Sequence, residues 1–180
     1  MKKFELTTEF ITNAFGKKLF RIKALVEFGD VKAGELGGYV EKEGNVSQDG
    51  NAWVSGDARV YGNAWVSGDA RVSGDAWVHG NARVCGNAKV CGDAKVPGNA
   101  KVCGDADYAL VKGFGTEFRC TTFYRDKNKK IMVNCGCFHG DLEAFRKQVK
   151  ETRSGKIAKE YLMIADLMKY HFASEDSSDE

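Results

Sequence analysis

The sequence lacks several features that would assign a class of protein at once. It has no run of about eighteen apolar residues to cross a bilayer, and no apolar N-terminal stretch typical of a signal peptide. Its 27 Lys and Arg nearly balance 25 Asp and Glu, for a net charge of +2, so the charge indicates neither nucleic acid nor an acidic substrate. No phosphate-binding glycine loop, dinucleotide fingerprint or serine nucleophile elbow is present. We therefore expect a cytoplasmic protein with no membrane segment and no sequence-specific contact with nucleic acid.

The setting of the cysteines bears on their redox state. The six cysteines are Cys85, Cys91, Cys103, Cys120, Cys135 and Cys137. Because no secretory signal precedes them, reduced thiols are a better expectation than disulfides.

The dominant feature of the chain is a six-residue repeat. Glycine recurs at every sixth position from Gly38 to Gly104, and from Gly50 onward Asn or Asp and then Ala follow it. The fourth position after each glycine is Val, from Val54 to Val102. Such strict spacing without an insertion predicts a structure made of identical short units.

This period suits short strands and not a helix. A period of six does not keep one face of a helix apolar, and each helical glycine would cost roughly 1 kcal/mol relative to Ala. In an extended segment Ala and Val point to the same side, and Gly followed by Asn or Asp supplies the bend. In the two degenerate repeats at the start, the same alignment assigns Val40 and Val46 to the Ala slot, with Lys42 and Gln48 in the Val slot.

The motif V-x-G-[ND]-A-x resembles the hexapeptide repeat of left-handed parallel β-helices, whose coils are triangular prisms of three hexapeptides. For residues 38–107 the resemblance implies nearly four coils. Neighbouring coils would stack about 4.8 Å apart through parallel strand pairing, with Val above Val and Ala above Ala. At about 1.5 to 3 kcal/mol per buried aliphatic side chain, nine valines can stabilise such a prism.

Residues eighteen apart would then form outward rows on the three faces. Each row combines a Trp, an Arg and a Lys, namely Trp53, Arg71 and Lys89; Arg59, Trp77 and Lys95; and Trp65, Arg83 and Lys101. An indole beside a guanidinium suits cation–π stacking of about 0.5 to 1 kcal/mol. Two interpretations stay open. The rows stabilise only the outside of the coil, or the six Trp and Arg side chains form a binding surface for a second subunit or a planar ligand.

The other outward position carries mostly small or polar residues, which are Ser55, Tyr61, Ser67, Ser73, His79, Cys85, Cys91, Pro97 and Cys103. Cys85 and Cys103 should lie on one face in adjacent coils. We interpret them as small packing residues, with a redox pair or a metal site as the alternative.

The segment before the repeat predicts a cap. The runs FELTTEF and LFRIKALVEF are typical of strands, and a loop around Asn13 to Lys17 joins them as a hairpin. Because the open end of a β-helix exposes unpaired strand edges, residues 1–37 are interpreted as its cover.

The segment after the repeat predicts a small α+β domain at 108–173. FRCTTFYR and IMVNC, on either side of DKNKK, indicate a second hairpin. A helix should begin near Asp141, and a longer helix should follow Gly155. The last residues, SEDSSDE at 174–180, form an acidic tail that we expect to be disordered.

A resemblance also bears on catalysis. The order of cap, array and terminal helices resembles hexapeptide-repeat proteins of bacteria and phages, mostly of unknown function and often called transferase-like. The enzymes with this kind of repeat are acyltransferases, typically trimers that use a His as general base, which implies His79 here. No acidic residue is placed by the motif to orient His79, and no loop interrupts the array. A tolerated surface residue is the interpretation that we favour.

One cluster has the residue types of a zinc site. Cys135, Cys137 and His139 occur together in NCGCFHG, and Cys120 falls on the predicted neighbouring strand. Paired zinc-binding cysteines are usually separated by two residues or more, and here by one. We expect buried thiols at a strand end, without a bound metal or other cofactor.

The sequence thus predicts a mainly β protein: a left-handed parallel β-helix with an N-terminal β cap and a C-terminal α+β domain of ββαα type. The leading functional hypothesis is a non-enzymatic binding and assembly protein that self-associates as a dimer or trimer. If the resemblance extends to a phage origin, its partner would be a host protein or a small nucleotide-like ligand of host defence, bound in the host cytoplasm. The alternative is an acyl-CoA-dependent acyltransferase that uses His79.

Overall fold

The computed structural model describes residues 1–173, so the predicted acidic tail lies outside the described residues. The chain divides into two compact units, the first at Met1–Asp105 and the second from Ala106 onward. The first contains three N-terminal strands that continue one stack of a β-solenoid into a six-stranded sheet, and the second contains four strands and two helices. The predicted mainly β fold, with its β-solenoid and C-terminal helices, is confirmed.

Three antiparallel strands open the chain, and they are β1 Phe4–Thr12, β2 Lys18–Ala24 and β3 Leu36–Val40. β1 and β2 form the predicted hairpin. The side-chain carbonyl of Asn13 closes its loop by accepting hydrogen bonds from the backbone N–H groups of Phe15 and Lys17, at 2.9 and 3.0 Å. Asn is favoured in such turns because its short side chain can satisfy nearby backbone donors.

The solenoid is made of nine strands, each two residues long. They are β4 Trp53–Val54, β5 Arg59–Val60, β6 Trp65–Val66, β7 Arg71–Val72, β8 Trp77–Val78, β9 Arg83–Val84, β10 Lys89–Val90, β11 Lys95–Val96 and β12 Lys101–Val102. Parallel pairing joins them into the stacks β4–β7–β10, β5–β8–β11 and β6–β9–β12. Residues eighteen apart therefore stack, as the repeat predicts.

Val and Ala fill the interior of the solenoid. Val54, Val72 and Val90 pair in register and are fully buried, and the valines of the other two stacks behave in the same way. The corners need glycine for two reasons. Gly68 has a φ of 69°, and a Cβ added there would lie 3.1 Å from the backbone nitrogen of Gly86 in the next coil. A side chain at the corner would be strained and would also keep the coils apart.

The predicted phase of the first two repeats is wrong. Val40 and Val46 align with valines of the following coil, so they occupy the Val slot and not the Ala slot. Gly38 then lies inside, where a Cβ would be 2.7 Å from the carbonyl oxygen of Ala58. Val46 and Val54 are eight residues apart instead of six, and these two extra residues shift the phase of the glycines. The even spacing of glycine conceals this shift.

Two side chains satisfy four of the carbonyl groups at the start of the solenoid. In each coil the backbone N–H groups donate to carbonyls of the next coil, so the carbonyls of the first coil need donors from elsewhere. The buried amide of Asn45 donates to two of them, at 3.1 and 2.8 Å. The ammonium of Lys3, only 4% exposed, donates to the carbonyls of Gly50 and Ala52, at 3.2 and 2.9 Å.

The second unit is a four-stranded antiparallel sheet with helices on one face. Its elements are β13 Tyr108–Phe114, β14 Arg119–Arg125, β15 Ile131–Cys135, β16 Phe138–Asp141, α1 Leu142–Thr152 and α2 Gly155–His171. The strands pair in chain order. The ββαα description captures the central hairpin and both helices but omits β13 and β16. Both contain glycine, which lowers strand propensity, so pairing with their neighbours decides their conformation.

One face of each helix packs against the sheet to form the core of this unit. It comprises Phe123, Val133, Leu142, Phe145, Val149, Tyr161, Ile164, Ala165, Met168 and Phe172. Helix α1 begins after Asp141, whose carboxylate accepts a hydrogen bond from the backbone N–H of Ala144 at 2.7 Å. Among residues 1–173, the helices are too short or too polar to cross a membrane.

The capping ammonium of Lys3 predicts a pH dependence of stability. Burial, and then the nearby positive charge of Arg71, lower the pKa of Lys3 from 10.5 to about 8. Between these two values the unfolded chain holds a proton that the folded chain has released, so the free energy of unfolding rises with pH across that window. Lys3→Met should remove this rise, as measured by urea unfolding at about pH 7.5 and about pH 9.5.

The control for this prediction is Lys2→Met, which removes an exposed ammonium that pairs with Glu43 at 2.8 Å. Lys3→Met also leaves two carbonyls without a donor, so its stability falls at every pH, and the slope is the quantity to compare. Equal slopes in the wild type and both variants would contradict the assignment.

Candidate functional site

The three outward rows are present, and each differs in its surroundings. We name them by their indoles. The Trp53 row contains Trp53, Arg71 and Lys89, the Trp77 row contains Tyr39, Arg59, Trp77 and Lys95, and the Trp65 row contains Trp65, Arg83 and Lys101. Their slots are equivalent in the repeat, so differences between them arise from what the rest of the chain places on each face.

The Trp53 row is covered where it begins. Trp53 is only 2% exposed, because Phe28 and Phe4 pack edge-on against its indole with ring centroids 5.4 and 6.3 Å away. Arg71 forms an ion pair with Asp30. This corrects the expected exposure of Trp53: its indole belongs to the joint between the N-terminal segment and the solenoid.

The Trp77 row is a stack of alternating cations and rings. The indole of Trp77 is half-buried between the guanidinium of Arg59 and the ammonium of Lys95, at 5.1 and 5.2 Å from the ring centroid. Both faces of this ring are therefore engaged within the chain. The observation favours the interpretation that this row stabilises the outside of the coil.

The Trp65 row leaves its indole most open to contact. Trp65 is 40% exposed, and only the guanidinium of Arg83, at 5.7 Å, lies over its ring among the recorded cation–π contacts of residues 1–173. Arg83 and Lys101 are exposed as well. An exposed ring next to two exposed cations is a composition typical of contact surfaces.

The corners flanking these rows differ in charge. The corner that leads into the Trp65 row carries a ladder of neutral amides, in which Asn63 donates to Asn81 and Asn81 to Asn99, each at 3.2 Å. The corner that leads into the Trp77 row carries carboxylates instead, at Asp57, Asp75 and Asp93. The leading corner therefore supplies no acid to offset the cations of the Trp65 row.

The cysteines beside the Trp65 row are bonded to each other. Cys85 and Cys103 form a disulfide across adjacent coils, with their Cα atoms 4.3 Å apart. This corrects the expectation of reduced packing thiols at these two positions. The physical reason is the repeat itself, because equivalent slots one coil apart lie directly over one another.

His79 stacks on Tyr61, which occupies the same outward position one coil earlier. Its imidazole lies parallel to the phenol of Tyr61, with centroids 5.0 Å apart and an interplanar angle of 8°. Burial raises the pKa of Tyr61, with Arg59 acting in the opposite direction, so the phenol remains neutral. One face of the candidate base is thus covered by an aromatic ring.

The four candidate zinc ligands do not come together. His139 pairs with Asn134 and its Nε2 lies 2.8 Å from the hydroxyl of Tyr124, whereas Cys135 packs against the helix-side core. Adjacent strand positions point to opposite faces, so His139 and Cys135 lie on opposite sides of the sheet, with Cys120 on the side of His139. Cys137 lies in the turn after β15. Within residues 1–173, no group of three or more His, Cys, Asp or Glu side chains is arranged to hold a metal.

The contrast between two indoles in equivalent slots gives a stability prediction. Trp53→Ala should lower the free energy of unfolding by about 3 to 5 kcal/mol, because it leaves a cavity under Phe4 and Phe28. Trp65→Ala should cost less than about 1 kcal/mol, because much of that ring already faces solvent. Urea unfolding of both variants measures the difference, and equal losses would contradict the assigned burial.

Comparison with known families identifies one stretch of the solenoid. A family model described as the YdcK beta solenoid repeat matches residues 52–68 and again residues 64–80. No curated protein matches the chain. The match lies where β4–β8 form the first coils, and it supports a β-solenoid protein without extending to a transferase-like type.

Proposed function

We propose that the protein is a non-enzymatic binding scaffold and that the Trp65 row is its contact surface. The observation that supports this most is the exposure of Trp65, at 40%, beside the exposed guanidinium of Arg83. Trp and Arg are the side chains that contribute most to protein interfaces, since a large ring and a planar cation bury much area at low entropic cost. A solenoid face holds them on a rigid, flat backbone.

The occupant that we propose first is a second copy of the chain. In a two-fold arrangement whose axis passes between the coils of Trp65 and Arg83, the guanidinium of each copy lies over the indole of the other. Each guanidinium then lies between two rings. Because Lys101 adds a further cation on each side, the two surfaces also repel each other electrostatically.

This arrangement predicts how self-association responds to substitution and to salt. Trp65→Ala should shift the protein to the monomer in sedimentation velocity, whereas Trp77→Ala, the same change in the neighbouring row, should not. Association of the wild type should strengthen from about 50 mM to about 500 mM NaCl, because salt screens the repulsion between cations.

Other occupants would give other results. Oligomers that persist unchanged in Trp65→Ala would refute the proposed role of this row. A monomeric wild type would refute the second copy as occupant, and the row would then be tested with an acidic host protein or a planar anionic ligand such as a nucleotide. Binding to such a partner should weaken with salt, which is the opposite response.

The acyltransferase alternative makes a separate prediction through His79. The ring of His79 stacks on Tyr61, which is a packing role, so we expect no saturable heat on titration with acetyl-CoA. Binding of acetyl-CoA that disappears in His79→Ala would replace the scaffold proposal with the enzyme.

A further inference from the structure

The C-terminal unit contains a cavity that the scaffold proposal does not use. It is lined by Thr116, Glu117, Arg119, Cys135, Cys137, Phe138, Phe145, Gln148, Val149, Thr152, Arg153 and Tyr161. Its volume is about 90 Å³. At about 10 to 15 Å³ per water-sized group, this leaves room for roughly six to nine such groups. A ligand of that size is a small metabolite, and not a nucleotide.

Two guanidiniums give the cavity its charge. Arg119 has its nearest recorded carboxylate, that of Glu117, at 3.9 Å, which is beyond hydrogen-bond distance. Arg153 makes one long hydrogen bond, at 3.4 Å, to the carbonyl oxygen of Thr152. Within residues 1–173, no carboxylate lies within hydrogen-bond distance of either guanidinium. Most of their donors therefore remain available to an anion.

Two glycines allow the polar side chains to lie close to the backbone around the cavity. Gly136, between Cys135 and Cys137, has a φ of 60°, and a Cβ there would be 2.7 Å from a terminal nitrogen of Arg119. Gly115 has a φ of 74°, and a Cβ there would be 2.3 Å from the hydroxyl oxygen of Tyr161. Each side chain thus packs over a backbone segment that only glycine leaves open.

Aromatic rings form the apolar wall of the same cavity. Phe138 and Phe145 have ring centroids 5.5 Å apart, and Phe145 meets Tyr161 edge-on at 5.9 Å. Phe145 and Tyr161 are buried in the core of the unit, so their positions are fixed by packing against the sheet. An apolar body of a ligand would therefore contact rings, with the guanidiniums at its other end.

The hydroxyl of Tyr161 is a neutral group at the wall of the cavity. It donates to the carbonyl oxygen of Phe114 at 3.3 Å, a long hydrogen bond. Burial and then Cys135 raise the pKa of this phenol above its usual value, while Arg153 and Arg119 act in the opposite direction. The phenol is therefore protonated at neutral pH, and it adds no negative charge beside the two guanidiniums.

We propose that this cavity binds a small monocarboxylate with an aromatic or short apolar body, about the size of benzoate. The carboxylate is held by the guanidiniums of Arg119 and Arg153, and the body lies against Phe138 and Phe145. A planar carboxylate with two oxygens matches the fork of a guanidinium. The small volume and the ring-lined wall favour a single anionic group joined to an apolar body.

Calorimetric titration of the full chain with benzoate tests the proposal. We expect saturable binding to the wild type that weakens about tenfold or more in Arg119→Gln and in Arg153→Gln, because each variant removes a charge-assisted hydrogen bond. Lys159→Gln makes the same change of charge on an exposed position of α2 outside the cavity, and it should bind like the wild type. Benzamide, a neutral analogue of the same shape, should bind at least about tenfold more weakly than benzoate.

A second measurement keeps the proposal testable if an arginine variant fails to fold. Because Cys137 lines the cavity and is exposed, benzoate should slow its alkylation by iodoacetamide, as followed by mass spectrometry of its peptide. Gly136→Ala, which displaces Arg119 without removing its charge, should reduce this protection. No saturable benzoate binding up to about 10 mM, or binding and protection that both arginine variants retain, would overturn the proposal. Inorganic phosphate that binds more tightly than benzoate would also overturn it.

Discussion

Backbone hydrogen bonds between coils set the register on which the rest of the solenoid depends. The N–H of Trp53 donates to the carbonyl of Ala70 at 3.0 Å, and the N–H of Arg71 to that of Ala88 at 2.9 Å. These hydrogen bonds place each position of the repeat directly over the same position in the next coil, so each Val stacks on a Val. The inward slots must then stay constant, because one larger side chain would separate two coils. Outward side chains do not lie between coils, so the outward positions can vary, and it is there that the sequence changes from Trp to Arg to Lys.

Because every coil donates its N–H groups to the carbonyls of the next coil, the carbonyls of the first coil are left without donors from the solenoid. These carbonyls face away from the following coils, so their donors come from the preceding residues, partly from backbone N–H groups such as that of Tyr39 and partly from the side chains of Lys3 and Asn45. Burying the ammonium of Lys3 beside Arg71 carries an electrostatic cost, which its lowered pKa records. The free-energy cost of burying this ammonium is smaller than the cost of leaving two buried carbonyls without hydrogen bonds. The covered indole of Trp53 follows from the same need, since the segment that brings Lys3 into place also brings Phe4 over the ring.

What could be predicted from the sequence is what repeats, and what was missed is what breaks the repeat. Coil stacking and the three rows follow from the six-residue spacing together with the three hexapeptides per coil that the resemblance implies. The phase shift between Val46 and Val54 was concealed because glycine keeps its six-residue spacing while changing from a corner to an interior residue. Burial of Trp53 depends on contacts with Phe28, for which the repeat carries no signal. The cavity beside Arg119 depends on close approaches of side chains to Gly136 and Gly115, for which the sequence carries no signal.

The differences in exposure among the three indoles also bear on how a solenoid could act as a binding scaffold. If all three indoles were covered as Trp53 is, the solenoid would have no aromatic contact surface, and if all were exposed as Trp65 is, the protein would aggregate. Under the proposed function, one open ring, with Arg83 beside it and a neutral amide ladder at its leading corner, would restrict contact to one face. In that arrangement the exposed cations on the face would limit how many copies accumulate, since each added contact brings like charges together. Specific association through a flat, repetitive surface therefore requires that its rows differ in exposure.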